Sequence, residues 1–222
     1  MAPIEVATPA PSAAPTPAVF EKPASATIDA PIIEQLPELP AGCEITTLTM
    51  LLQFSGMDKT KMQLMAEMPV DQTPIVYNGD GSIKYWGNPN TGFVGDVTRK
   101  QRVFGIYHTG IYPLLQHYIP QAEDITDKPF ELYEEQVARG IPVMVWTTID
   151  FNVPYKWASW DTPIGPIRTS FAEHAVLLVG YDENHVYVND PLSGKKQFQV
   201  DKNQFIASWE AMGKQGLTYE LE

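Results

Sequence analysis

The chain has a single cysteine, Cys43, among 222 residues. One thiol cannot close an internal disulfide and cannot build a thiolate zinc site, so both kinds of staple are excluded. Long apolar runs are missing as well. The longest, at 141–146 and 175–179, fall far short of the roughly 20 apolar residues that span a bilayer. Basic residues are scarce: 15 against 27 acidic ones, a formal charge of −12. Such a surface repels phosphate backbones and anionic lipids, which argues against nucleic acid and membranes as partners. No set of His, Asp and Glu has the local spacing of metal ligands, so neither a metal nor another cofactor is expected.

What is present describes a packed protein with a distinct N-terminal region. Hydrophobic residues make up 44% of the chain, and 5 Trp, 10 Tyr and 9 Phe argue against disorder. Residues 1–31 differ: they hold 7 of the prolines and 9 alanines, with Phe20 their only aromatic. This stretch reads as a disordered, partly extended linker. It lacks the basic start and apolar core of a signal peptide. A Pro/Ala/Thr tether suits a domain held off a cell surface, with a leader or anchor lost before Met1. The alternative is a plain disordered tail on a cytoplasmic protein.

Residues 32–222 form the expected domain. The apolar spacing predicts a helix from Cys43 to Gly56, and a second over 59–67 capped by Asp58. Residues 70–102, rich in Gly, Asn and Pro, read as one long shaped loop walling a cleft, with Trp86 and Phe93 packed as its anchors. Helices are expected at 109–118 and 129–139. Strands follow at 141–149, 173–181, 185–189 and 195–200, then a helix capped by Asp201 and a closing strand at 216–221. Helices first and strands later indicate an α+β domain with an antiparallel sheet.

Cys43 follows Pro40 and Gly42, at the start of a helical period. Unpaired N–H groups and the helix dipole favour thiolate there, and the same N–H groups can hold an oxyanion. A small buried hydrophobe is the competing reading of a free cysteine. Glu44 next door opposes the thiolate if it points inward. His174 opens a strand, and Asp190 closes the next one before Pro191. A three-residue turn at 182–184 would set Asp190 opposite Val176, on the face that His174 shares, and bring the two within reach. Asp190 also suits the opening of the turn at 190–194.

Three segments together carry a resemblance: Gln35 to Leu48 around the cysteine, Glu173 to Tyr181 with Val186 to Pro191, and Tyr85 to Asp96. In this order they resemble the bacterial papain-like cysteine peptidases related to the double-glycine, bacteriocin-processing peptidases, and within them the stand-alone branch associated with the cell envelope. The resemblance runs from Ile33 to the C-terminus. It implies a papain-like fold, with Cys43 as nucleophile, His174 as general base and acid, and Asp190 as orienter. It also implies Gln35 as an oxyanion donor beside the Cys43 N–H. In the bacteriocin-processing enzymes the glutamine stands closer to the cysteine, and glycine follows the cysteine. Here two extra residues intervene and Glu44 follows.

The function expected is hydrolysis of peptide bonds in a peptide or protein substrate through an acyl-enzyme. Two alternatives stand beside it: a catalytically silent peptide or cell-wall binding module, and an amidase or transferase acting on cell-wall peptides. On net charge alone, basic peptides are the favoured substrates. The sequence does not set an oligomeric state.

Overall fold

A computed structural model describes residues 20–220. Part of the expected linker, residues 1–19, lies outside them. The rest of it is not a free linker. Strand β1 (Ala26–Thr27) pairs with Tyr181 and Gly180, and Ile28 and Ala30 are buried. Proline removes a donor but keeps its carbonyl, and those carbonyls find partners. The Tyr181 hydroxyl donates to Pro23 O, and the Asn189 amide donates to Ala30 O and Pro31 O. The prolines therefore sit where only acceptors are needed.

Helix α1 (Cys43–Phe54) is buried from Cys43 to Leu52, which makes it the central helix of the domain. Gly42 precedes it because a Cβ there would lie 2.5 Å from Leu39 Cβ. Helix α2 (Lys61–Glu67) starts later than expected. Its cap is Thr60, not Asp58: Thr60 and Gln63 exchange side-chain and backbone hydrogen bonds in a capping box.

The region read as one long loop is built of short strands: β2 (Val70–Asp71), β3 (Val76–Tyr77), β4 (Ile83–Tyr85) and β5 (Phe93–Gly95), followed by β6 (Val103–Gly105). Strands β2, β5 and β6 form one small sheet, and β3 with β4 another. Asp71 ties the region together, accepting from Thr73 N–H, Asn88 N–H and the Thr91 hydroxyl. Trp86 and Phe93 are buried, Trp86 against Trp160 at 5.7 Å between rings. These strands have two or three residues each, too short to leave a periodic trace in sequence.

The remaining expected elements follow in order, with three short strands among them that the sequence did not predict. Helix α3 (His108–Tyr118) leads to β7 (Ala122–Asp124), and α4 (Phe130–Ala138) to β8 (Val143–Thr148). A small hairpin, β9 (Ala158–Trp160) and β10 (Ile167–Thr169), precedes the long β11 (Glu173–Tyr181). Then come β12 (His185–Asp190), β13 (Lys195–Asp201), α5 (Lys202–Ala211) and β14 (Gly216–Tyr219). The main sheet runs β13-β12-β11-β8-β14-β7, antiparallel throughout, with β1 beside the end of β11. Every residue of β8 and β11 is buried, so both faces of the sheet are covered at its centre. Helix α1 packs on β11 and α5 on β8. Each buried Leu, Ile or Val in this sandwich contributes about 1.5–3 kcal/mol. The result is an α+β domain in which the start of α1 meets the start of β11. Among the described residues no helix is long and apolar enough to cross a membrane.

Candidate active site

The α1–β11 junction brings together residues 131 positions apart, Cys43 and His174. The Thr47 hydroxyl donates to Ala175 O at 3.1 Å and pins helix to strand. The Ala175 N–H lies against the Cys43 sulfur, which sets the thiol at the start of β11, one residue along the strand from His174.

The expected pairing of His174 with Asp190 is present: His174 Nε2 and Asp190 Oδ1 are 2.7 Å apart and buried. The register behind it is right for an unexpected reason. Tyr181 pairs with Val186, so the turn is one residue longer than the three-residue loop predicted. A bulge between Leu178 and Gly180 takes up the difference, and Leu177 pairs with Asn189. In that register Asp190 stands opposite Val176, on the face of His174. Asn189 points the other way, toward Ala30 O and Pro31 O.

Asp190 both orients the histidine and opens a turn. It accepts from Leu192 N–H at 2.9 Å and from the Ser193 hydroxyl at 2.5 Å. Burial alone would raise its carboxyl, but His174, Ser193 and Leu192 hold it down to about 2. With Nε2 engaged by Asp190, Nδ1 is the ring nitrogen free for proton exchange.

The electrostatics around the thiol reverse the expectation from the helix start. Cys43 is buried and donates to Glu44 Oε2 at 3.1 Å rather than to His174. Glu44 Oε1 accepts the Ile106 N–H at 2.8 Å. Gly105 is required beside it, since a Cβ there would lie 2.2 Å from Glu44 Oε1. Glu173 completes a buried trio, the donor atoms of Cys43, Glu44 and Glu173 lying within 4.8 Å of one another. Glu173 Oε1 is buried without a partner among the described residues. Burial pushes the thiol well above its ordinary value, Glu44 and Glu173 push it further, and the Ala175 N–H offsets part of this. Burial and then Glu44 push the Glu173 carboxyl well up. Burial also raises Glu44, and the Ile106 N–H and the thiol offset only part of that rise. The thiol therefore stays neutral at rest and donates to Glu44. Of the two raised carboxyls, Glu44 has a donor on each oxygen and is the one placed to carry charge, while Glu173 is held the more strongly toward its neutral form. The helix dipole contributes only about 0.3–1 kcal/mol, too little to outweigh burial and two carboxyls.

Gln35 is buried beneath the turn that leads to Cys43, and its amide donates to Pro40 O at 2.9 Å. Its Oε1 has no partner among the described residues. A cleft of about 330 Å³ opens over the thiol, lined by Ala41, Cys43, Arg99, Arg102, Phe171 and Glu173 among others. Of the loop over 70–102 that was expected to wall the cleft, Arg99, Gln101 and Arg102 line it. Glu173, Arg99 and Arg102 were not singled out from the sequence. The available signal was adjacency: Glu44 follows the cysteine and Glu173 precedes the histidine. The trio is also the one grouping among the described residues with donor atoms close enough for a metal. Local ligand spacing could not reveal it, because the fold assembles it across the chain.

Comparisons with known proteins agree with this architecture. The model of a family described as the Peptidase_C39 like family matches residues 27–217. A curated relative from Bacillus subtilis (strain 168), uncharacterized protein YvpB, is 37% identical over 185 residues, covering 83% of this chain and 71% of its own. A crystal structure from Bacillus anthracis, described only as a C39-like peptidase, is 36% identical with a TM-score of 0.81. The match covers 89% of this chain and 98% of that one.

Proposed function

The chain belongs to the Peptidase_C39-like family, and from that premise we propose that it is a cysteine peptidase working through Cys43, His174 and Asp190. The observation that carries the reading is the buried His174–Asp190 hydrogen bond of 2.7 Å at the strand that pins the start of α1. It fixes the imidazole and leaves Nδ1 as the base for the neighbouring thiol.

In this reading, substrate entering the cleft displaces the thiol from Glu44 toward His174. The imidazole takes the thiol proton and the sulfur attacks the carbonyl carbon. The N–H groups at the start of α1 hold the oxyanion, with the Gln35 amide as a further donor once released from Pro40 O. The C–N bond breaks as His174 protonates the amine, leaving an acyl-enzyme. Water, deprotonated by His174, then releases the acid and restores the thiol. A cell-envelope location is part of the same proposal, supported by the Pro/Ala composition of residues 1–19 and tested by fractionation of cells producing the full chain.

Peptide-library profiling of the wild type and Cys43→Ala tests the mechanism. Cleavage by the wild type alone is expected, and equal cleavage by both overturns it. A second reading, a silent binding module on the same fold, draws on the neutral, buried thiol. Binding of library peptides without cleavage, with Cys43 no more reactive in the folded than in the unfolded protein, would favour that reading. An amidase or transferase on cell-wall peptides uses the same carbonyl chemistry, and cell-wall peptides in the library separate it.

A further inference from the structure

We propose that the cleft selects substrates carrying a carboxylate beside the bond that is attacked, held by Arg99 and Arg102. The inference rests on reading Cys43 as the nucleophile. It reverses what net charge alone favours. The chain carries −12, yet Arg99, Lys100 and Arg102 fall within four positions, and both arginines line the cavity that holds the thiol.

These cations are free of the partners that neutralise others. Lys61, Lys202 and Lys214 are ion-paired to carboxylates. Among the described residues, Arg99, Lys100 and Arg102 form no ion pair, and neither guanidinium donates a hydrogen bond. The nearest acid in sequence, Asp96, is committed to its own turn. It accepts from Thr98 N–H, the Thr98 hydroxyl and Gln101 N–H. That turn places Arg99 in the left-handed region, φ 57°, which favours glycine or asparagine over arginine. Arg102 lies over the Phe171 ring at 4.2 Å, a contact that fixes its plane and leaves its N–H edge available.

The acids deeper in the cleft do not cancel this field. Glu44 offsets at most one of the two guanidinium charges, and burial and Glu44 push the Glu173 carboxyl up, toward its neutral form, so the rim stays net positive. Arg102 also lines an adjoining groove of about 440 Å³ that includes Met65, Met68 and Phe93, together with Asp71 and Asp96, whose carboxylates accept hydrogen bonds from their own loops. An extended peptide can therefore run from the thiol past the arginines into a groove of mixed lining. Planar guanidiniums with unused donors match a carboxylate bidentately, and a lysine-type point charge would not. An Asp or Glu side chain and a free C-terminal carboxylate both offer this group.

Two measurements on the full chain test the proposal. The first compares Cys43 alkylation by iodoacetate, an anion, and iodoacetamide, a neutral analogue, in the wild type, in Arg99→Gln/Arg102→Gln, and in Lys128→Gln as a remote control. The iodoacetate-to-iodoacetamide rate ratio is expected to fall about tenfold in the double variant and to stay unchanged in the control. The wild-type ratio should also fall as salt screens the arginines. The second compares kcat/KM for peptides with Glu or Gln flanking the cleaved bond, and with free or amidated C-termini. Preference for the Glu peptide assigns the site to an acidic side chain, and preference for the free terminus assigns it to a terminal carboxylate. Either preference should be lost in the double variant. Cleavage that survives Cys43→Ala would overturn the nucleophile reading, while the alkylation ratio, which needs no turnover, still decides the arginine field. An alkylation ratio equal in the wild type and the double variant, or peptides cleaved without regard to either carboxylate, overturns the proposal.

Discussion

Glu44→Gln isolates the contact that sets the state of the nucleophile. The substitution is nearly isosteric. Its Oε1 can keep the Ile106 N–H bond of 2.8 Å, and its Nε2 replaces the oxygen 3.1 Å from Cys43 Sγ. One negative charge is removed at about 4 Å from the charge centre of a thiolate. At an effective dielectric of about 20 that is worth about 4 kcal/mol, or about three pKa units at 1.36 kcal/mol each. The thiolate fraction at neutral pH should rise by up to about 10³-fold. Thiolate nucleophilicity falls by about 0.4–0.5 log units for each unit its pKa falls, so the alkylation rate constant should rise by about 30–60-fold. The assay is the pH–rate profile of Cys43 with iodoacetamide, measured across the pH range in which both proteins stay folded. Its midpoint should move down in Glu44→Gln. If Glu44 is already protonated at rest, the substitution removes no charge. An unmoved midpoint would therefore refute the assignment of Glu44 as the ionised member of the trio.

Three further outcomes follow from the same contacts. Asp190→Ala should lower kcat/KM on a cleaved peptide by about 10²-fold or more, because His174 loses its anchor at Nε2. Asp190→Asn keeps an acceptor there and should recover a large part, and a rate equal to that of Asp190→Ala would show that the charge, not the orientation, is what matters. Leu48 is fully buried on α1, so Leu48→Ala should cost about 2–5 kcal/mol and lower Tm by about 10 °C, read by circular dichroism. A shift under about 2 °C would place Leu48 outside the core. Asp190 is held down to about 2 in the folded protein, below the ordinary carboxylate value near 4. Its contribution is complete above that ordinary value and is lost as pH falls from about 4 through about 2. The stability gap between the wild type and Asp190→Asn should close over that window in denaturant titrations, and a gap that stays constant would contradict the bond.

The frame of the fold was legible where periodicity runs long enough to register. Helix α1, with apolar positions from Ile45 to Leu52 and a stop at Gly56, φ 93°, was readable to within two residues. So was α5, because Asp201 accepts from Gln204 N–H and caps it. Strands of two or three residues leave no such trace, and β2 to β5 were read as one loop. Strand β1 was hidden differently. Its neighbours are prolines and alanines, a composition that signals disorder, yet its stability comes from partners far along the chain: Tyr181, Asn189 and Val179 O, which accepts the Ile28 N–H. Composition measures what a segment can bury against itself, and this segment buries itself against a sheet.

The site divides along the same line. The pairing of His174 with Asp190 could be placed from register arithmetic, because a strand has a period of two and only two faces are available. Even so, the observed register rests on two compensating departures, a longer turn and a bulge between Leu178 and Gly180. The state of Cys43 could not be placed that way. Position at a helix start was a valid reason to expect a thiolate, but its weight is about 0.3–1 kcal/mol. A carboxylate at contact distance in a buried site weighs several times more. The carboxylate was visible as Glu44, the next residue in sequence. Whether it faced the sulfur depended on Ile106 N–H and on Gly105, which leaves room where any Cβ would collide. Those residues lie some sixty positions away. A local rule with a small energy is therefore overruled by burial and by a carboxylate that a distant contact holds against the sulfur, and these together decide the charge on the nucleophile.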